Sequence, residues 1–169
     1  ISYLNKVEGL DLDTIDQLLN RESGLLGISG RSSDMRDVLA AANEGDGRAL
    51  LAIKAFCYRV KCFVGAYTAA MGGLDLVVFT GGIGQNSRGV RIRCVEGRER
   101  LGIVLDQERN QLCQVDDQTP VFDIGAPRSR VAVLVVATDE LSFQIEPKQR
   151  RIDQQVYVQA IIRDGKSVG

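Results

Sequence analysis

From residue 74 the chain reads LDLVVFT, a nearly unbroken apolar run rich in β-branched residues, and this predicts a buried strand. A second run, RVAVLVVATDE at residues 130–140, predicts another, and it too ends in threonine and then polar residues. Elsewhere the period is helical. Leu50, Ile53, Phe56, Val60, Phe63, Val64, Tyr67 and Met71 recur at steps of three and four, predicting a largely buried helix over 48–71 that stops at Gly72 and Gly73. Upstream, Ile15, Leu18 and Leu19 share one face of a shorter helix, with Asp13 as its cap and Gly24 just past its end. Gly27 and Gly30 mark a loop. Ser32 or Ser33 caps the next helix, through DMRDVLAAAN, with Asp34 in its first turn, and EGDG then breaks the chain. After the first strand, GGIGQNS leads into the helical pattern RGVRIRCVEGRERLG; IVLD at 103–106 is a short strand candidate and QERNQLC a short helix or turn. Helices alternate with strands, so the class is α/β, with a sheet covered on both faces. Ligands of such sheets bind beyond the carboxyl ends of the strands, the edge on which GGIGQNS and ATDE both lie.

The turn Thr80-Gly81-Gly82-Ile83-Gly84-Gln85-Asn86 has the makings of a nucleotide loop. Glycines lack Cβ, so backbone N–H groups can come close to a ligand. A helix starting near Asn86 or Ser87 would add a dipole that favours anions, and Gln85 and Asn86 offer neutral donors and acceptors for a ribose or base edge. The plain alternative is a tight strand-to-helix turn with no ligand. A Rossmann fingerprint needs a third glycine where this chain has Ser87, and a Walker A loop needs a Gly-Lys-Ser/Thr ending that is absent.

Composition narrows the chemistry. The chain has 169 residues, 44% of them apolar and 25% charged, the profile of one globular domain. The net charge is −1 with both signs interspersed, which argues against a nucleic-acid partner held by a basic surface. There is no histidine, so a Ser-His-Asp or Cys-His site supplied by this chain alone is excluded, as are zinc sites using imidazole. Cys57, Cys62, Cys94 and Cys113 form no CxxC and read as mostly buried, reduced thiols, the usage of a cytoplasmic protein. The apolar runs are too short to span a membrane, and no secretory signal is present. The chain opens without methionine and already inside a helical pattern, which fits a piece of a longer protein.

Four segments, SGLLGISGRSSDMRDV, LDLVVFTGGIGQNS, RLGIVLD and VLVVATDE, resemble in order and spacing the C-terminal half of acetate kinases and the related propionate and butyrate kinases. The likeness covers roughly residues 1–140. It implies the actin/hexokinase/Hsp70-like ATPase fold (ribonuclease H-like), with ATP held between two domains, of which this chain is most of the second. The implied reaction is reversible transfer of the ATP γ-phosphate to a short-chain carboxylate, giving an acyl phosphate and ADP, with Mg²⁺. Position by position, Asp34-Met35-Arg36 matches the family's nucleotide-contacting segment, and Gly82-Ile83-Gly84-Gln85-Asn86 its adenosine loop, with Gln85 where the family has Glu. That replacement keeps the shape and loses the charge. Glu140 matches the glutamate implicated in Mg²⁺ binding, and Asp139 would serve as a helix cap. The family's second Glu is replaced by Leu141. The resemblance also implies a homodimer, and no nucleic-acid or membrane partner.

The family's catalytic histidine, its arginines, a metal-holding asparagine and a first phosphate loop belong to sequence absent from this chain. Phosphoryl transfer depends on positioning and charge neutralisation from several sides, so the isolated chain is expected to be inactive. Carboxylate chain length is not legible here. After Glu140, LSFQIEPKQRRIDQQVYVQAIIRDGKSVG fits no family pattern; VYVQAII within it is a strand candidate, and no function is assigned to residues 141–169. Two other readings stand beside the kinase: a non-catalytic binding module on the same ATPase fold, favoured by Gln85 and the altered tail, and a Rossmann-type dinucleotide domain.

Overall fold

The computed structural model describes residues 1–137 and the backbone of residues 158–160. The chain divides into two compact units, Ile1–Tyr58 and Arg59–Gly169.

The first unit is helical: α1 (Ser2–Lys6), α2 (Leu12–Gln17) running into a π-helical turn Leu18–Glu22, α3 (Gly24–Ser29), α4 (Met35–Asn43) and the start of α5 (Gly47–Met71). Ile15, Met35, Val38, Ala49, Ala52, Ile53 and Cys57 are its buried apolar residues. Local hydrogen bonding places the helix ends more finely than the apolar pattern does. Asp11, not Asp13, caps α2: its carboxylate accepts from the Thr14 N–H at 2.7 Å. Asp34 is itself the cap of α4 and not a first-turn residue, because its extended backbone lets its carboxylate accept from the Arg36 N–H at 2.8 Å. The expected loop at Gly27 is helix instead. Arg48 supports it, donating from Nε to the Ile28 carbonyl at 3.0 Å and from Nη2 to the Gly27 carbonyl at 3.2 Å, the groups a short helix leaves unpaired at its end. Gly30, at φ 65°, then closes α3 in the left-handed region. Asp46 opens α5, accepting from the N–H groups of Arg48 and Ala49 at 2.9 and 3.1 Å.

The second unit holds a four-stranded sheet of order β2-β3-β1-β4, with β1 at Leu76–Phe79, β2 at Val121–Asp123, β3 at Ala132–Val136 and β4 at Val158–Ala160. β1 and β3 run parallel, with Leu76 opposite Ala132 and Phe79 opposite Val135. β2 pairs antiparallel with β3, and β4 antiparallel with β1, so the sheet is mixed. Val77, Val78 and Phe79 are buried in succession; since successive side chains point to opposite faces, β1 is covered on both. Both predicted strands are present, and VYVQAII contributes β4. IVLD is not a strand: only Leu105 makes an isolated bridge, to Gly125. β2 was hidden because its residues are half-exposed or exposed and lack an apolar run. The helices of this unit are α6 (Gly81–Asn86), α7 (Arg88–Val95) and α8 (Gln107–Leu112). The long helix α5 runs as expected but is less buried than its pattern predicts: Phe63 stacks on Tyr67 under Arg59, and both rings are exposed. Cys57, Cys94 and Cys113 are buried and Cys62 is exposed. Among the described residues no helix is long and apolar enough to cross a membrane.

Asp46 gives the fold a pH signature. The hydrogen bond from Arg31, at 2.7 Å, and then the backbone donors hold its carboxyl below the usual carboxylate range. A depressed folded pKa contributes stability that is complete above the unfolded value of about 4 and is lost as pH falls through the folded value. Melting temperature plotted against pH is therefore expected to fall less steeply below about pH 4 for Asp46→Asn than for the unsubstituted chain; parallel acid limbs would contradict this.

Candidate functional site

β1 and β3, being parallel, end on the same edge of the sheet. Thr80, the residue after β1, ties the two ends together by donating its hydroxyl to the Val136 carbonyl at 3.0 Å. The hydroxyl is thereby withdrawn from capping α6, which has no side-chain cap at Thr80.

The glycine turn is helical from its first residue: α6 begins at Gly81, directly after the strand, and not near Asn86 or Ser87. Three of its six residues are glycine, so intrinsic propensity and length both weigh against it. Arg91 holds it. This guanidinium is fully buried, 0% exposed. Its Nη1 donates to the carbonyls of Gly84 and Gln85 at 2.8 and 2.6 Å, which are last-turn carbonyls of α6. Its Nε donates to Asn110 Oδ1 at 2.7 Å and its Nη2 to the Asn110 carbonyl at 3.3 Å. Asn110, 1% exposed, donates in turn to the Arg88 carbonyl at 3.3 Å. Among the described residues every acceptor of Arg91 is a neutral oxygen. Burial accordingly pushes its pKa down, with the thiol of Cys113 opposing and the charge of Arg88 adding to the shift. Burial likewise raises the Cys113 thiol. A buried cation is tolerated only where such hydrogen bonds replace its water. Arg91 and Asn110 escaped the sequence reading because an arginine on a polar-looking helix and an asparagine in a polar turn carry no pattern of burial; the only signal was an arginine four residues after Ser87, next to apolar Val90.

The five residues Gly82–Asn86 divide by exposure. Ile83 and Gly84 are buried, Gln85 is half-buried, and Gly82 and Asn86 are exposed. The glycines do different things. Gly81 has φ 70°, which other residues adopt at a cost. A Cβ on Gly84 would sit 3.2 Å from the Phe79 carbonyl carbon, so the helix packs on its own strand there. A Cβ on Gly82 would meet nothing within 4 Å. Packing within the chain thus explains glycine at 84 but leaves open space beside 82. Asn86 turns its amide back, Nδ2 donating to the Gly82 carbonyl at 2.9 Å.

In the first unit, Asp34, Met35 and Arg36 stand at the start of α4. Met35 is 2% exposed, a core residue. Arg36 folds over Asp34, with Nη2 to Oδ2 at 2.6 Å and Nε to both carboxylate oxygens at 3.1 Å. This hydrogen bonding, and then the charge of Asp34, raises the Arg36 pKa. The Arg36 side chain is 86% exposed, so its guanidinium is aimed by Asp34 yet open to solvent. Glu140 and Asp139 lie outside the described residues. Among the described residues no three His, Cys, Asp or Glu side chains group so as to hold a metal.

A mixed sheet whose parallel strands end side by side, one passing straight into a glycine-rich helix, makes this an α/β protein of the actin/hexokinase/Hsp70-like ATPase class, the fold of its solved neighbours. The crystal structure of Porphyromonas gingivalis acetate kinase matches with TM-score 0.75 and 43% identity, over 82% of this chain and 34% of that one. That of a propionate kinase from Francisella tularensis matches with TM-score 0.71 and 36% identity, over 82% and 34%. The model of the acetokinase family matches residues 1–145, and the chain belongs to that family. The acetate kinase of Caldicellulosiruptor saccharolyticus is 48% identical over 140 residues, 83% of this chain and 34% of the relative. The chain thus spans about a third of the length of the curated relatives it matches.

The glycines generate a test. Gly84→Ala is expected to cost about 1–3 kcal/mol, the range for overpacking a tight contact. Gly82→Ala is expected to change stability by less than about 1 kcal/mol. Denaturant titration checks both, and equal losses would contradict the division of labour.

Proposed function

We propose that this chain is the nucleotide-binding, C-terminal part of a carboxylate kinase. The whole protein transfers the ATP γ-phosphate reversibly to acetate or a similar short-chain carboxylate. A carboxylate oxygen forms a bond to the γ-phosphorus, the bond to the bridging oxygen breaks, and ADP leaves with the electron pair. The observation that carries this reading is the family match over residues 1–145, within which Gly82 is exposed and unhindered at the strand edge where α/β proteins bind ligands.

On this reading residues 1–140 are the ATP-binding domain and 141–169 an extension without an assigned role. Gly82 allows the nucleotide to approach the backbone, and Gln85 and Asn86 supply polar contacts to the adenosine. Ile83 and Gly84 anchor the turn. Arg36 offers its guanidinium to the adenine face or to the ribose and phosphates, and Asp34 aims it. Met35 holds that pair in place from the core. Glu140 would serve Mg²⁺, which enters with ATP and neutralises charge on the phosphates. The chain has no histidine, and the remaining charge-neutralising groups come from the rest of the protein. The protein is assigned to the cytoplasm as a homodimer, without nucleic-acid or membrane partners. The propionate kinase among the solved neighbours leaves acetate and propionate both as acceptors.

Calorimetric titration of the chain with Mg-ATP and Mg-ADP is expected to give binding with a dissociation constant below about 1 mM. Arg36→Ala should weaken it about tenfold, the loss of a charged hydrogen bond, at an unchanged melting temperature. An acetyl phosphate assay on the chain alone should show no turnover. Absence of nucleotide binding would refute the reading, and turnover by the isolated chain would refute the division of the catalytic groups.

A further inference from the structure

We infer that Arg91 and Asn110 are positioning residues for the glycine turn: α8 sets the turn through them, and with it the affinity for nucleotide. The proposal rests on the nucleotide reading above and deepens it. Neither side chain reaches the exposed flank of the turn, since both are buried. They act from behind it.

The geometry is a chain of four contacts. Asn110 is fixed at the middle of α8, where its Oδ1 accepts from Arg91 Nε at 2.7 Å and its Nδ2 donates to the Arg88 carbonyl at 3.3 Å. Arg91, so oriented, places Nη1 against two successive carbonyls, those of Gly84 and Gln85. Those two residues lie between the exposed Gly82 and Asn86 and fix how α6 is directed. α6 has no side-chain cap at its start and three glycines in its body, so little else within it resists reorientation. Moreover, the Cβ-free face of Gly84 lies on Phe79. Arg91 therefore holds the C-terminal end of α6 by its carbonyls while Gly84 seats the helix on the strand end, and neither contact involves Gly82. The planar guanidinium is needed for this: three of its bonds go to Asn110 Oδ1 and two carbonyls from a single rigid fork, which a lysine ammonium cannot reproduce.

The experiment compares backbone amide exchange and nucleotide affinity in the full 169-residue chain. Arg91→Lys keeps the charge and loses the fork. Asn110→Ser shortens the acceptor and carries the test if Arg91→Lys does not fold. Asn110→Asp keeps an oxygen for Nε and loses only the Nδ2 donor to the Arg88 carbonyl, so it isolates the acceptor role. Val95→Ala, one turn further along α7 and also buried, is the comparison for general loss of stability. Arg91→Lys and Asn110→Ser are expected to speed exchange at residues 82–87 selectively and to weaken Mg-ADP binding at least tenfold. Asn110→Asp should stay within about threefold of the unsubstituted chain. Val95→Ala should lower the melting temperature without changing exchange in the turn. Unchanged turn exchange in both disrupting variants, or equal acceleration in Val95→Ala, would overturn the proposal. Selective acceleration in a chain that binds no Mg-ADP would support the positioning role and sink the nucleotide reading.

Discussion

A buried arginine with no carboxylate partner among the described residues is the constraint around which the candidate site is organised. Placing a guanidinium out of water is costly unless it finds acceptors, and each of the three Arg91 nitrogens donates to a neutral oxygen at the end of α6 or on α8. The exchange benefits both sides. The cation gains the partial negative charge at a helix C-terminus, and a helix too short and too glycine-rich to stand alone gains partners for its last carbonyls. The first unit repeats the device at its surface, where Arg48 takes the last carbonyls of α3. In both cases a short glycine-containing helix is closed by an arginine from a following helix.

Much of the fold was legible in the sequence, for identifiable reasons. β1 and β3 are central strands of β-branched residues, and burial on both faces leaves a continuous apolar run that needs no context to read. The helix over 48–71 declared itself by its period. What escaped was decided by single hydrogen bonds. The choice of Asp11 over Asp13 as a cap, or Asp34 over Ser32, depends on which carboxylate meets an N–H, and hydropathy does not encode it. α6 looked like a loop because its helix is stabilised by a residue several positions on. β2 went unassigned because a short edge strand carries no apolar run. Phe63 and Tyr67 obey the helical period and are nonetheless exposed, since period alone does not say which face meets a core.

The candidate site was legible in a different sense. The residues named for nucleotide contact were carried by family resemblance, and the structure sorts them physically. Met35, Ile83 and Gly84 are buried and serve as anchors. Asp34 is engaged in capping α4 and in aiming Arg36. Gly82, Asn86 and Arg36 face solvent, with Gln85 between the two groups. Each of the two segments, 34–36 and 82–86, thus combines buried residues with exposed ones. The buried residues were assigned only by likeness; their physical role became visible with burial and backbone contact.

The most direct test of the nucleotide-binding account is amide exchange across the whole chain with and without Mg-ADP. The account predicts that protection rises at residues 82–86 and around residues 34–36 while the centre of β3 is unaffected. Protection unchanged in both segments at saturating Mg-ADP would contradict it.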